Sequence, residues 1–224
     1  QYRVMDDDGA YSNSAAVTIV IAEVNDDPVA NDDSGTVDEG DSVIVNLTGN
    51  DTDIDGTIDN ATIGIATAPS NGSLIDNLDG TVTYTHDGSE TVSDTFQYRV
   101  MDDDAAYTNI ATVTITITEV NDDPVAYDDS GSLSEGGSTA IDLTDNDTDI
   151  DGTIDDTTVD ITTAPTNGTL VDNDDGTVTY THDGSETTDD TFQYRVMDDD
   201  GAYSNSAAVS VVIAEVNDDP VAND

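Results

Sequence analysis

The sequence predicts an all-β chain of tandem β-sandwiches, on three observations. The segment Glu-Val-Asn-Asp-Asp-Pro occurs at 23–28, 119–124 and 215–220, 96 residues apart each time. Between these copies the apolar residues fall in short runs that alternate with polar ones, the period of a half-buried strand. No window carries apolar residues at helical spacing, and Gly, Asn and Asp cluster between the runs as turn formers do. A fixed internal period is the mark of a repeat array.

Each element follows in order within the repeat at 25–120. A proline closing an acidic run is a poor strand interior, because it has no N–H to donate. The copies at 23–28 and 119–124 therefore read as stiff links, each followed by an edge strand. Residues 42–48 place Val43, Val45 and Leu47 on one face, and the next repeat keeps that face as Thr139, Ile141 and Leu143. A second short strand carries Ile63 and Ile65, matched by Val159 and Ile161, and another lies near Leu74 and Ile75. Asp79-Gly80 sits between two runs as a hairpin turn should. Residues 81–86 then turn Val82 and Tyr84 inward. Phe96, Tyr98 and Val100 form the inner face of 95–100, and Val113, Ile115 and Ile117 that of 112–118. About seven strands in 96 residues, with frequent turns, is the pattern of an antiparallel sandwich of immunoglobulin type. Residues 121–216 repeat it. Residues 1–24 read as the last part of a preceding repeat and 217–224 as the start of a following one. The whole reads as a window from a longer array, with any targeting segment elsewhere.

Charge restricts the partners. The chain has 224 residues, 51 acids and 3 basic residues, for a net charge of −48. Of the acids, 44 are Asp and seven are Glu, and there is no Cys or Trp. Low hydrophobicity with such charge is by itself the composition of a disordered chain; the strand patterning argues against that. A surface this acidic repels nucleic-acid phosphates and anionic lipid. No run approaches the roughly 18 apolar residues of a membrane span. Without cysteine, disulfides contribute nothing to stability.

The acids gather in three clusters per repeat. The first is the link: Glu23, Asn25 and Asp26; Glu119, Asn121 and Asp122; Glu215, Asn217 and Asp218. The second is the loop Asp51, Asp53, Asp55, ending in Gly56, and its copy Asp147, Asp149, Asp151, ending in Gly152. The third is Asp102, Asp103, Asp104 and its copy Asp198, Asp199, Asp200, with Asp6, Asp7 and Asp8 ahead of both. If odd strands run down and even strands up, the turns after the second and sixth strands share the end that faces the incoming link. Two like charges about 4 Å apart repel by roughly 4 kcal/mol at an effective dielectric near 20. A few such pairs rival the roughly 5–15 kcal/mol stability of a domain. All-oxygen ligands with no thiolate point to a hard cation, and a flexible carboxylate cage favours Ca²⁺ over Mg²⁺. The bland alternative is a set of solvated acidic loops. A surface of that kind would spread acids over the strand faces, which here are Thr-rich. The loop also opens like an EF-hand, but position twelve is Thr62 or Thr158 rather than Glu, and strands flank it.

Together the link, the D-x-D-x-D-G loop and the Asp run after a Phe-x-Tyr strand resemble the calcium motifs of cadherin repeats. The repeat length, with Thr-Val-Thr-Tyr and Asp-Thr-Phe-Gln-Tyr-Arg-Val, is similar to the cadherin-like, immunoglobulin-like repeats of large bacterial surface adhesins. The resemblance implies that Glu39 and Glu135 are ligands at the lower end of each repeat. The family's Asp-Arg-Glu motif is missing, and Asp94 and Asp190 are the nearest substitutes.

No enzyme is predicted. His86 and His182, Met5, Met101 and Met197, and Arg3, Arg99 and Arg195 are repeat equivalents, which architecture explains better than catalysis. Each arginine is expected to pair with a neighbouring carboxylate. The expected function is that of a calcium-rigidified extender in an extracellular bacterial adhesin or stalk, its partners the neighbouring repeats of its own chain. The alternative is a subunit of a self-assembling extracellular filament or matrix fibre, with other copies as partners. A sugar- or ice-binding module would need a flat or aromatic-lined face absent from the other repeats. Tyr127, where Asn31 and Asn223 stand in the other copies, is the one aromatic that departs from the repeat.

Overall fold

The computed structural model describes residues 1–217 and is all-β, as predicted. By packing, the chain divides into two compact units: residues 1–89 with 93–117, and residues 90–92 with the chain from Thr118 onward. The first unit holds β1 (Asp33–Asp38), β2 (Ser42–Asn46), β3 (Ile58–Thr67), β4 (Gly72–Asp76), β5 (Thr81–His86), β6 (Ser93–Asp102) and β7 (Ala111–Thr118). These make one sheet ordered β1-β7-β6-β3 and another ordered β2-β5-β4. The second unit repeats the plan with β8 (Asp129–Ser134), β9 (Ser138–Asp142), β10 (Ile154–Thr163), β11 (Gly168–Asp172), β12 (Thr177–His182), β13 (Asp189–Asp198) and β14 (Ala207–Ala214). Its sheets run β10-β13-β14-β8 and β11-β12-β9. Residues 1–24 contribute isolated bridges, Tyr2 to Ala15 and Met5 to Tyr11.

Period-two alternation decides which side chains make the core. Val82, Tyr84, Phe96, Tyr98, Val113 and Ile115 are buried between the sheets of the first unit. Val178, Tyr180, Phe192, Tyr194, Val209 and Val211 hold the same places in the second. The outward residues between them are threonines and other polar side chains, so each strand has one dry and one wet face.

Two features differ from the sequence expectation. The strand seen in the sequence only around Ile63 and Ile65 runs for ten residues, Ile58–Thr67. Its register against β6 shifts between Asp59 and Gly64. A bulge of this kind breaks the alternation and hides the strand from a period count. Thr62 repairs the gap, its Oγ1 accepting from the Met101 amide at 2.9 Å, as Thr158 Oγ1 does from Met197 at 2.8 Å. The other feature is that β8 lies parallel to β14, pairing Asp129 with Val209 through Ser134 with Ala214. Both are odd-numbered strands of their unit, so neighbours of that kind run the same way.

The arginines also differ. Arg3, Arg99 and Arg195 stack over the rings of Tyr11, Tyr107 and Tyr203 at 4.0, 4.0 and 3.7 Å. Among the described residues Arg195 alone of the three adds the expected carboxylate, Asp160 at 2.8 Å. Opposite Arg99 the first unit has Gly64, so no side chain is there to pair. The histidines are architectural: the His182 Nδ1 accepts from the Gly136 amide at 3.1 Å, and His86 Nδ1 from Gly40 at 3.2 Å.

Candidate metal centre

Within each unit the three acidic segments meet at the end where the link enters. In the first unit the Asn25 side-chain amide donates to Asp102 Oδ2 at 3.0 Å, and the Asp26 amide donates to Asp55 Oδ2 at 3.1 Å. The Thr57 amide donates to Asp103 Oδ1 at 2.7 Å, tying the loop to the Asp run. The second unit repeats all three: Asn121 to Asp198 at 2.9 Å, Asp122 to Asp151 at 3.1 Å and Thr153 to Asp199 at 2.7 Å. Glu23, Asn25, Asp55 and Asp104 line an open cleft of about 390 Å³. Glu119, Asn121, Asp151 and Asp200 line its counterpart of about 390 Å³.

Local structure explains how carboxylates come so close. The Asp102 carboxylate is buried and its Oδ1 takes the amides of Asp104 and Ala106 at 3.0 and 2.8 Å, which curls the Asp run over the strand end. The Asn25 amide, with those backbone amides, holds the Asp102 carboxyl below the usual carboxylate range. Asn121 does the same for Asp198. Glycine at the loop end leaves room for the carboxylates to sit where they do. A Cβ on Gly56 would lie 2.5 Å from Asp53 Oδ2 and 2.6 Å from Asp103 Oδ1, and one on Gly152 2.7 Å from Asp149 Oδ2 and 2.8 Å from Asp199 Oδ1.

The electrostatics are unbalanced in the way a cation would correct. Asp53 Oδ2, both oxygens of Asp149 and Asp151 Oδ1 are buried and meet no hydrogen-bond donor. Burial, then the neighbouring Asp151, pushes the Asp149 carboxyl up. A buried polar atom without a partner costs about 1–3 kcal/mol, more when charged. Oxygen-only donors gathered around such atoms fit a hard divalent ion.

The other predicted residues fall in different places. Asp51 faces away from the cleft: its Oδ1 takes the Asn31 amide at 2.8 Å, and the Tyr98 hydroxyl lies 3.2 Å from both its oxygens. Asp33 shares that hydroxyl at 3.0 Å. Asp147 takes the same position beside Tyr194 in the second unit. Burial pushes the carboxyls of Asp33 and Asp129 up to about 6. Asp94 is buried and fully engaged, by the amides of Asn71, Ser70 and Thr95 at 2.9, 3.1 and 2.8 Å and by Tyr84 at 3.1 Å. Burial opposes its charge, but these donors outweigh burial and hold the carboxyl low; Asp190 has the equivalent set. Glu39 lies in the β1–β2 turn. Glu135 Oε2 accepts from the Val216 amide at 3.2 Å. Glu215 and Asn217 follow β14 and are exposed, and Asp218 lies outside the described residues.

One residue escaped the sequence reading. Within the second unit, carboxylate oxygens of Glu90, Glu119 and Asp151 lie within 4.8 Å of one another. The available signal was Gly-Ser-Glu-Thr at 88–91 and 184–187, which carries two of only seven glutamates.

The comparisons agree with the tandem sandwich plan. The model of the bacterial cadherin-like domain matches residues 25–119 and again 121–215. A structure of Drosophila N-cadherin EC1-4 is similar at a TM-score of 0.55 and 17% identity, over 83% of this chain and 49% of that one. Human protocadherin-24 EC1-2 is similar at 0.53 and 12% identity, over 84% of this chain and 99% of that one. An endo-fucoidan hydrolase of glycoside hydrolase family 107 overlaps 96% of this chain and 33% of its own at a TM-score of 0.37, too loose a likeness to bear on activity. The chain thus spans half or less of two of the structures it matches. No curated protein matches it. At such low identities the structural likeness speaks for the sandwich, and the doubled match of the family model speaks for membership: the chain belongs to the bacterial cadherin-like domain family.

Proposed function

We propose that these units are calcium-rigidified extender repeats of an extracellular bacterial adhesin or stalk, and that they are not catalytic. The reading rests on one observation above all: in the second unit both Asp149 oxygens and Asp151 Oδ1 are buried without a donor, beside the entering link. In the first unit Asp53 Oδ2 is in the same state. Calcium would be held by Asp53, Asp55, Asp102, Asp103 and Asp104 with Glu23, Asn25 and Asp26 of the link. The second set is Asp149, Asp151, Asp198, Asp199 and Asp200 with Glu119, Asn121 and Asp122. Glu39, Glu135, Glu215, Asn217 and Asp218 remain proposed ligands outside these two clefts, whereas the donors already on Asp51, Asp147, Asp94 and Asp190 take those four out of the set. When bound, the ion supplies the positive charge that these oxygens lack. The repeats proposed are 25–120 and 121–216, and their partners are the neighbouring repeats of the same chain.

A link whose own residues ligate the ion is fixed to the unit it enters, which would stiffen the array. Small-angle scattering with Ca²⁺ and then with chelator tests this. The maximum dimension should shrink when calcium is removed, and an unchanged value would sink the proposal. Melting temperature separates calcium from simple screening. An ion bound only to the folded form stabilises it by about 2.7 kcal/mol at a hundredfold excess over Kd. If NaCl alone restored the full calcium-bound melting temperature, the acids would be a solvated surface.

A further inference from the structure

We propose that Arg99 of the first unit is a binding site for a small molecule that carries one carboxylate on an apolar body. The repeat itself displays the filled form. In the second unit Asp160 stands in register opposite Arg195. Its Oδ2 accepts from Arg195 Nε at 2.9 Å and lies 2.8 Å from Nη2. The first unit keeps every part of this frame except the carboxylate. Arg99 stacks over Tyr107 at 4.0 Å, as Arg195 does over Tyr203 at 3.7 Å. Opposite Arg99, in the same register, is Gly64. Arg99 is exposed, and among the described residues its guanidinium meets no carboxylate. A guanidinium held flat on a ring keeps its donor edge aimed, so less freedom is lost when an anion takes that edge.

Nothing in the backbone asks for glycine at position 64. Its φ is not left-handed. An added Cβ would meet only the Arg99 carbonyl oxygen at 3.8 Å and Arg99 Cγ at 3.9 Å, which is ordinary contact. Glycine inside a strand weakens it, so the residue serves neither a turn nor a close approach. What it does is leave the edge of Arg99 open. Two further differences between the units set the body of the ligand. In the second unit the hydroxyls of Thr162 and Ser206 lie 3.0 Å apart. Ala66 and Ile110 hold those places in the first unit, and Ile110 is 54% exposed. Ala66 follows Gly64 by two residues on β3, so an apolar pair replaces a polar one within two residues of the open slot. The net charge of −48 repels polyanions. One carboxylate on an otherwise neutral, apolar body meets the least of that repulsion.

The site does not depend on the calcium reading, and exchanging the two residues between the units tests it. Arg3, Arg99 and Arg195 are the only basic side chains of the chain, so their Nε–H signals are few enough to follow one by one. The full chain is titrated with sodium benzoate at neutral pH while NMR records those signals, with NaCl at matched ionic strength as the reference. The Arg99 signal should move saturably with benzoate, and the Arg195 signal should not. Gly64→Asp supplies the carboxylate that the second unit already has, and should abolish the response at Arg99. Asp160→Gly should create a saturable response at Arg195. Each variant places in one unit the residue that the other unit already accommodates, so both should fold. A response of Arg99 that survives Gly64→Asp, or that NaCl reproduces in full, overturns the proposal. Sedimentation of the parent chain should show a monomer throughout. A dimer that Gly64→Asp dissociates would mean that the carboxylate comes from a second copy, and would overturn the small-molecule site.

Discussion

The side-chain amide of Asn121 donates to Asp198 at 2.9 Å, although the two residues lie 77 positions apart. This bond fastens the link to the turn after β13, and its copy from Asn25 to Asp102 does so at 3.0 Å. Link and Asp run are thereby registered by the protein's own hydrogen bonds, and the consequences can be tested one residue at a time.

Gly152→Ala should weaken calcium binding by about tenfold, the lower end of the effect expected of residues that position ligands. The added Cβ would sit 2.7 Å from Asp149 Oδ2 and 2.8 Å from Asp199 Oδ1, so those carboxylates must separate. Isothermal titration checks it, and an affinity equal to the parent's contradicts the cradle.

Asp149→Ala should act with opposite sign in the two states. With calcium chelated it removes a buried, donorless carboxylate and raises the melting temperature; with calcium it removes a ligand and lowers affinity. Asp142→Ala is the control, because Asp142 Oδ1 takes the Thr144 and Asp145 amides at 3.2 Å on a strand's outer side. Equal calcium affinities for the two variants would count against the assigned site.

Acid should stabilise the calcium-free chain over a limited window. Asp33 and Asp129 have folded pKa values of about 6, raised by burial first and by the charges of Asp51 and Asp147 beside them. A carboxyl raised on folding contributes most below its unfolded value near 3.9, and that contribution fades as pH climbs through 6. Asp94 and Asp190 act oppositely, because their lowered values make stability fall once pH drops below about 4. Thermal melts should therefore rise from pH 7 towards pH 4 and then turn down. Asp33→Asn with Asp129→Asn should flatten the rise; a slope unchanged in that double variant would exclude these two residues as its source.

Ala105→Gly should stabilise the first unit by about 1 kcal/mol. Ala105 has φ of 68°, where the other copies have Gly9 at 81° and Gly201 at 89°. A residue with a Cβ costs about 1–2 kcal/mol there, partly offset by the greater freedom of glycine in the unfolded chain. Differential scanning calorimetry of the variant reads the difference directly, and a lowered melting temperature would refute the strain.

Legibility followed periodicity. The faces carrying Val82, Tyr84, Phe96, Tyr98, Val113 and Ile115 were readable because each unbroken strand alternates strictly, and all six are buried. β3 was only half visible, since its bulge between Asp59 and Gly64 resets the alternation. The acidic segments were readable as clusters and, from strand parity, as sharing one end. Nothing in the spacing separates Asp51, which faces Tyr98, from Asp53, whose oxygen is left without a donor.

The sequence by itself determined the repeat, the all-β sandwich and the end of each unit at which the acids gather, because periods of two and of 96 residues are properties of the chain. The tertiary structure alone decided which acids are satisfied. Asp94 meets three amides and a tyrosine hydroxyl, while Asp149 meets no donor. It also decided that β8 and β14 run side by side. Both outcomes depend on which backbone amides and which strand edges lie across the sandwich, and those neighbours come from residues tens of positions away that local pattern does not encode.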